Sequence, residues 1–417
     1  MKGNRVGFIP RHSAYDASRD EGEGRKHRPD FILAITSITL LVIGLIVMYS
    51  ISPAVAAVNN QAANYYFTRH ILALGIGIVG VALIYNMPLG NLKKLVYPLL
   101  ALSVIASGVI LAMDGVAYRW IKIAGFSFQP AELVKFGLIL WLGFFLSKQR
   151  KSGLQKNIHL TLKPVLIVLG AIAFVIVILQ RDLGSMVVIA AITGLMLFVA
   201  SVPLRPLILV FLGLVLLGAI AIASTPYRRD RFETFLNPAR DCQNEGYHAC
   251  QALIAVGSGG LMGLGVGNSV QAYGYLPETT TDSIFAIYAE KFGFIGSVIL
   301  ITLLGIIIMR LFRIAARTST WESRLITTGI VTWIAVQASI NIGAMVGLLP
   351  LKGITLPLVS YGGSSLIFVM LALGVALRIS CYTSVRKQDI ESKKQNNENT
   401  SERWGNRRSY HAPLSSR

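Results

Sequence analysis

The chain has 417 residues, of which 53% are hydrophobic and only 14% charged, and its mean hydropathy is +0.60; such a composition excludes an ordinary soluble domain. The formal net charge of +19 would suit a nucleic-acid partner, but no aromatic-basic motif or DNA-binding pattern accompanies it. The basic residues alternate between loops instead, as membrane topology and attraction to anionic lipid require.

Residues 1–30 form a polar, Arg-rich tail expected to be disordered. Ten apolar runs follow, at about 31–50, 70–87, 95–113, 131–147, 164–180, 184–201, 206–224, 283–309, 325–348 and 364–381. Each approaches the roughly 20 residues needed to cross the hydrocarbon core. Continuous apolar runs do not fit the alternating pattern of a barrel, so helices must satisfy the backbone in lipid. The predicted fold is an all-α polytopic membrane protein with about ten transmembrane helices. Residues 31–382 form its membrane domain, 225–282 a large outer loop, and 383–417 a second disordered tail. Ala54-Val55-Ala56 follows the first run, but the preceding tail is long and carries both charge signs, so the first helix is expected to remain uncleaved.

Both tails and the loops at 93–94, 148–163 and 310–324 are basic, while the intervening loops are poorer in Lys and Arg. Both termini are therefore placed in the cytoplasm and the 225–282 loop outside. Arg228, Arg229, Arg231 and Arg240 break the rule by crowding that outer loop. They either anchor to lipid phosphates or recognise a specific phosphate, for which the Arg fork is suited.

Several polar motifs fall at membrane depth on the outer side. Arg119-Trp120-Ile121-Lys122 lies between the third and fourth runs, and Gln129-Pro130-Ala131-Glu132 opens the fourth. Proline suits a first helical turn, and Glu132 and Lys135 share a face. They form either a self-neutralising pair or a cavity-facing pair that holds a polar headgroup. Gln180-Arg181-Asp182-Leu183-Gly184-Ser185 reads as a tight turn, with a binding role open.

A loop as long as 225–282 is usually functional. Cys242 and Cys250 both fall within it, where a disulfide can persist; a bridge and two free thiols remain equally open. Residues 251–257 read as a short interfacial helix. Gly263, Gly265 and Gly267 lack the strand-turn-helix context of a dinucleotide fingerprint, so they read as permitting tight turns or close backbone approach to a sugar. Thr281 or Asp282 can cap the next helix. Alternatively Asp282 is functional, because an acid at a membrane boundary is costly without a partner or a task. Glu290 and Lys291 lie two turns further on and must face protein or water, Glu290 on roughly the face of Asp282. Pro350, Gly353, Pro357, Gly362 and Gly363 predict irregular backbone at membrane depth, tolerated where it is protein-buried or lines a cavity.

These motifs, with Tyr275-Leu276-Pro277-Glu278, Gly347-Leu348-Leu349-Pro350 and Ser360-Tyr361-Gly362-Gly363-Ser364-Ser365, resemble the SEDS family (shape, elongation, division and sporulation) over about residues 31–382. Gly267-Asn268-Ser269-Val270-Gln271 is most similar to the division branch. Arg181 departs from the family's usual proline, His70 from a glutamine, and Thr279-Thr280 from Ala-His; the two loop cysteines are not an expected family feature.

The resemblance implies a peptidoglycan glycosyltransferase of the inner membrane at the division septum. It would polymerise lipid II into β-1,4 strands by inverting displacement of undecaprenyl pyrophosphate. Asp282 is then the base on the acceptor 4-hydroxyl, and Arg119, Lys135 and Arg228 or Arg229 bind phosphate while Glu132 orients Lys135. Trp120, Lys122, Asp182, Asn268, Gln271, Glu278, Ser360 and Ser364 complete the implied substrate surface. Mg²⁺ or Mn²⁺ would have a role at the pyrophosphate, although no metal-ligand spacing demands one, and no organic cofactor is implied. The implied partners are a class B penicillin-binding transpeptidase and other divisome proteins. The alternatives are an elongation-branch polymerase, a lipid II flippase built on Gly/Pro-broken segments, and a non-catalytic division scaffold.

Overall fold

A computed structural model describes residues 28–112, 120–123, 126–203, 205, 206, 208, 212, 213, 220, 223, 235, 242–244, 246–351 and 353–382. Most of the predicted seventh run, both tails, Arg119, Arg228 and Arg229 lie outside the described residues.

In chain order come α1 (Phe31–Val58), α2 (Tyr65–Asn86), α3 (Leu89–Ala112), a hairpin of β1 (Ile121–Ile123) and β2 (Phe126–Phe128), and α4 (Pro130–Lys151). There follow α5 (Ile158–Leu179), α6 (Leu183–Val199), α7 (Tyr247–Ser258), α8 (Ile284–Arg317), α9 (Trp321–Met345) and α10 (Gly363–Ser380). Among the described residues, eight helices are long and apolar enough to cross a membrane, and α6 is a shorter apolar helix. The apolar runs thus predicted the helices correctly wherever residues are described, apart from ends that shift by up to about two turns, as where α1 runs on to Val58 and α8 to Arg317. The hairpin was not predicted. It pairs Lys122 with Ser127 in antiparallel register where the sequence reading had only a loop.

Helices α4, α9 and α10 are the most enclosed, while α2, α3 and α5 present much of their apolar surface outward, as lipid contact allows. Trp333 on α9 and Leu138, Ile139 and Leu140 on α4 are fully buried. The caps are local and chemical. Asp30 Oδ1 accepts from Leu33 N at 3.0 Å and starts α1, and Asp182 Oδ1 accepts from Ser185 N at 3.1 Å and starts α6. Pro130 sits in the first turn of α4, where its missing N–H is no loss.

α8 is interrupted at Gly293 (φ 66°, ψ −163°), a backbone region essentially reserved for glycine. Such a break orphans carbonyls before it and N–H groups after it. The Gly-rich loop fills the gap: Leu264 N donates to Glu290 O at 2.9 Å and Gly265 N to Lys291 O at 3.1 Å. In return Phe294 N donates to Gly260 O at 2.9 Å and Ile295 N to Leu261 O at 3.2 Å. A Cβ at Gly259 would collide with the carbonyl of Ala289, one at Gly263 with that of Lys291, and one at Gly293 with the Gly263 backbone. These glycines permit backbone to approach backbone. For Gly263, read from the sequence as permitting a tight turn or close approach to a sugar, the close approach is to the protein's own backbone.

Side chains reinforce the same junction. Glu290, 1% exposed, accepts from Ser269 Oγ at 2.5 Å, Val270 N at 2.8 Å and Gln271 N at 3.1 Å. Lys291 Nζ donates to Val266 O at 2.8 Å. Both face protein, as predicted for charges inside an apolar helix. Cys242 and Cys250 are disulfide-bonded, with Cα atoms 5.6 Å apart, which decides between the two alternatives left open by the sequence. The predicted short helix at 251–257 is α7, begun one turn earlier at Tyr247.

Candidate active site

Residues 275–283 lead into α8 and are held by the elements around them. Glu278 adopts φ 50°, a left-handed conformation uncommon for a side-chain-bearing residue. Its carbonyl turns the chain, accepting from Thr281 N at 3.2 Å and Ser283 N at 3.1 Å. Ser283 is the residue at the cap position of α8 and makes no side-chain cap bond; its hydroxyl donates to Pro277 O at 2.8 Å. The cap position thus falls on Ser283, one residue beyond the Thr281 or Asp282 of the sequence reading. With its one proton committed to Pro277, the Ser283 oxygen accepts from His248 Nε2, 2.7 Å away on α7.

Thr281 Oγ1 lies 2.8 Å from Glu278 Oε2 and 2.9 Å from Asp282 Oδ1. A hydroxyl has one proton to give, so with both carboxylates ionised it can donate to only one of them. The threonine hydroxyl therefore links Glu278 and Asp282.

Asp282 is positioned from behind by α9. Asn341 Nδ2 donates to Asp282 O at 2.7 Å and to Ile354 O at 2.6 Å, joining the approach to α8 to the irregular segment before α10. Tyr361 N donates to Thr280 O at 2.8 Å, a second tie between the same two segments. One turn before Asn341, Gln337 Nε2 donates to Thr355 O at 3.0 Å, and Thr355 Oγ1 meets Ser365 Oγ at 2.9 Å.

In front of this assembly opens a cavity of about 570 Å³, bounded by Tyr65, Tyr66, Trp120, Glu278, Thr281 and Tyr361 among others. Its size is within the range of small-molecule sites. Asp282 borders a separate recess of about 10 Å³ with Asn341 and Gly353, so Thr281 stands between the acid and the main cavity. Tyr66 and Tyr361 meet edge to face at 5.5 Å, an aromatic wall of the kind sugars pack on. Burial pushes the Tyr361 phenol up to about 12, against a smaller opposing pull from Arg69. It stays protonated, and able to donate, across the physiological range.

The other predicted residues fall in different places. Trp120 reaches the cavity, and Lys122 lies on β1. Lys135 Nζ bonds Glu132 Oε1 at 2.8 Å and Gln337 Oε1 at 2.9 Å, and these two charged side chains are 1% and 4% exposed. The pair is thus in the interior, beneath the cavity and not among its lining. Asp182 is buried, capping α6 and accepting from Gln129 Nε2 at 3.1 Å. Ser360 Oγ accepts from Leu356 N at 2.7 Å and Ser364 Oγ from Gln129 N at 2.9 Å. Asn268 Nδ2 closes its own loop on Leu264 O at 3.0 Å, and Gln271 is buried beside Glu290. Sequence reasoning missed Gln337 and the positioning role of Asn341. Their signal was present: two amides four residues apart in an otherwise apolar run, a costly placement unless both are bonded.

No group of three or more His, Cys, Asp or Glu residues suited to a metal occurs among the described residues. Glu278 and Asp282 still offer two carboxylates on one hydroxyl. That donor set fits Mg²⁺ or Mn²⁺, which is commonly held by one or two carboxylates with substrate phosphates.

A bundle of apolar helices whose outer end sets two carboxylates, linked through one hydroxyl, beside an aromatic-walled cavity defines a membrane protein built to handle a polar group at the bilayer surface. Residues 31–385 match the cell cycle protein family model named FTSW_RODA_SPOVE, and the chain belongs to that family, the SEDS family. It is 38% identical over 369 residues to stage V sporulation protein E of Bacillus subtilis, covering 86% of this chain and 99% of that protein. It is 37% identical over 368 residues to a probable peptidoglycan glycosyltransferase FtsW of Thiomicrospira cyclica, covering 86% and 93%. Among solved structures, a chain from "Structural coordination of polymerization and crosslinking by a peptidoglycan synthase complex" superposes with a TM-score of 0.68 at 26% identity, covering 84% of this chain and 97% of that one. The rod shape determining protein RodA of Thermus thermophilus superposes with a TM-score of 0.60 at 27% identity, covering 84% and 96%.

Proposed function

We propose that this chain is a peptidoglycan glycosyltransferase of the FtsW type, polymerising lipid II at the outer face of the membrane. The observation that carries the reading is the pair Glu278 and Asp282, joined through Thr281 at the edge of the outer cavity, in a chain of this family. The donor sugar is α-linked to pyrophosphate, and a single displacement inverts it to β. The acceptor 4-hydroxyl oxygen forms the bond to C1 as the bond from C1 to the pyrophosphate oxygen breaks. Undecaprenyl pyrophosphate departs with the electron pair.

Asp282 takes the hydroxyl proton as general base. An inverting transfer with so good a leaving group needs one base and little acid assistance. Thr281 donates to one carboxylate at a time, so when its proton goes to Glu278 the hydroxyl no longer engages Asp282. Tyr361 and Trp120 offer surfaces for the sugars. Arg119, Arg228 and Arg229 are proposed to hold the phosphates. If bound, Mg²⁺ or Mn²⁺ would be held by Glu278 and Asp282 with substrate oxygens, and would supply positive charge to the leaving pyrophosphate.

The division branch is favoured by Gly267-Asn268-Ser269-Val270-Gln271 and by the FtsW relatives. A class B penicillin-binding transpeptidase is the proposed partner, in keeping with the structural neighbour that coordinates polymerisation with crosslinking; the proposed site of action is the septal inner membrane. Purified protein, with and without that transpeptidase, given lipid II and assayed for glycan strands tests the reading. Asp282→Asn should reduce strand synthesis at least a hundredfold while the protein remains folded, on the order of the effect of a catalytic base. Near-normal polymerisation by that variant would remove Asp282 from the mechanism. Translocation of labelled lipid II in liposomes without polymer would favour transport instead.

A further inference from the structure

At the other end of α8 from Asp282, a cavity of about 350 Å³ opens between the start of α1, the last turns of α8 and the end of α10. Arg28, Arg310, Arg313 and Arg317 line it, with Asp30 as the one acid. Arg310 and Asp30 form the fixed part of the pocket. The Arg310 guanidinium reaches both carboxylate oxygens, with Nε 2.9 Å from Oδ2. Asp30 meanwhile caps α1 and receives α10 through its own N–H, which donates to Ser380 Oγ at 3.0 Å.

Arg28, Arg313 and Arg317 bring three further guanidinium groups to the same concavity. Arg310, Arg313 and Arg317 follow each other by three and four residues, so they share a face of α8, and Arg28 lies in the segment just before α1. The positive-inside rule accounts for basic residues at this end of the bundle. It does not account for their convergence from α8 and the segment before α1 onto one pocket. A favourable interaction of Arg317 with the α8 terminus explains only one of the four.

We propose that this pocket binds the phosphate headgroup of an anionic phospholipid from the adjoining leaflet. Guanidinium forks match phosphate oxygens in geometry as well as charge, and basic pockets between transmembrane helices recognise such headgroups. The apolar flank argues for a lipid over a free anion. Phe31 and Ile32 line the same cavity and are 56% and 49% exposed, and Met309 and Phe312 stand exposed on α8 beside the arginines. A phosphate held by the arginines therefore has acyl-compatible surface directly beside it, which a soluble phosphate would not use.

Native mass spectrometry of the full chain in detergent, titrated with phosphatidylglycerol or phosphatidylcholine, tests this. Phosphatidylglycerol should be retained preferentially. Arg313→Gln with Arg317→Gln should weaken that retention by about 10- to 30-fold, from roughly 1 kcal/mol per basic residue near the surface. The Arg310 and Asp30 pair is untouched in this variant, so its unfolding temperature should match the parent. Lys93→Gln with Lys94→Gln removes the same charge from the start of α3 and should leave retention unchanged. Equal retention by the arginine variant, or an equal loss in the lysine control, would overturn the pocket. Displacement of the lipid by inorganic phosphate alone at low millimolar concentration would overturn the assignment to a lipid headgroup.

Discussion

Replacing Gly263 by alanine tests the junction that holds the approach to Asp282 in place. Gly263 has φ +83°, and a Cβ there would run into the Lys291 carbonyl, a backbone group that cannot swing aside. An L-residue in the left-handed region costs about 1–2 kcal/mol on its own. Relief of the clash requires the loop to withdraw, and withdrawal breaks the four backbone hydrogen bonds between residues 260–265 and 290–295. At about 1 kcal/mol each these add roughly 4 kcal/mol, so the total comes to roughly 5–6 kcal/mol, and to about 3 kcal/mol at the low end of both ranges. Gly257 is the matched control, because a Cβ there meets nothing within 4 Å. Chemical unfolding in mixed micelles should show Gly263→Ala at least about 3 kcal/mol less stable than Gly257→Ala, by the same reckoning. Strand synthesis should fall with it. Equal stability and equal activity for the two alanine variants would refute the claim that the loop plugs the break in α8.

Thr281→Val should lower the polymerisation rate, whereas Thr281→Ser, which keeps the hydroxyl, should restore it; indistinguishable valine and serine variants would mean the hydroxyl does not link the carboxylates. Lys135→Met should destabilise the protein by about 3–5 kcal/mol, because it leaves Glu132 charged and buried, and adding Glu132→Gln should recover most of that loss in the same unfolding assay. If the double variant is stable yet inactive, the pair serves the substrate as well as the fold. Reduction of the disulfide between Cys242 and Cys250, whose sequence separation is 8, should loosen the start of α7 by about 2–3 kcal/mol on chain-entropy grounds, measurable by hydrogen exchange at residues 246–250.

The helices were legible because lipid imposes a simple rule, that about 20 apolar residues form a span. The caps at Asp30 and Asp182 are equally local. What the pattern could not convey is where polar side chains meet across the chain. Glu132 and Lys135 were correctly paired from their spacing of three, but only packing against Gln337 of α9 determines that they lie in the interior. Gly263, Gly265 and Gly267 were read as permitting tight turns or close approach to a sugar, and Gly263 approaches protein backbone instead. Its partner, a break in α8 thirty residues further on, leaves no trace in a local window beyond one more glycine. Asp282 was singled out because an acid is costly at the membrane boundary. Its dependence on Asn341, fifty-nine residues away, is a product of the tertiary fold. The hairpin at 121–128 was missed because three-residue strands carry too little alternation to register.

The break at Gly293 also divides labour along α8. Unbroken, a helix of 34 residues would run about 51 Å, well beyond the roughly 30 Å of hydrocarbon, and would transmit any tilt at one membrane face rigidly to the other. As it stands, the inner stretch is moored to α1 through Arg310 and Asp30, and the outer stretch to the loop at 260–265. Each face has its own anchor. The bilayer can thicken, thin or press on the inner stretch while the alignment of Asp282 is set by contacts that never leave the outer surface.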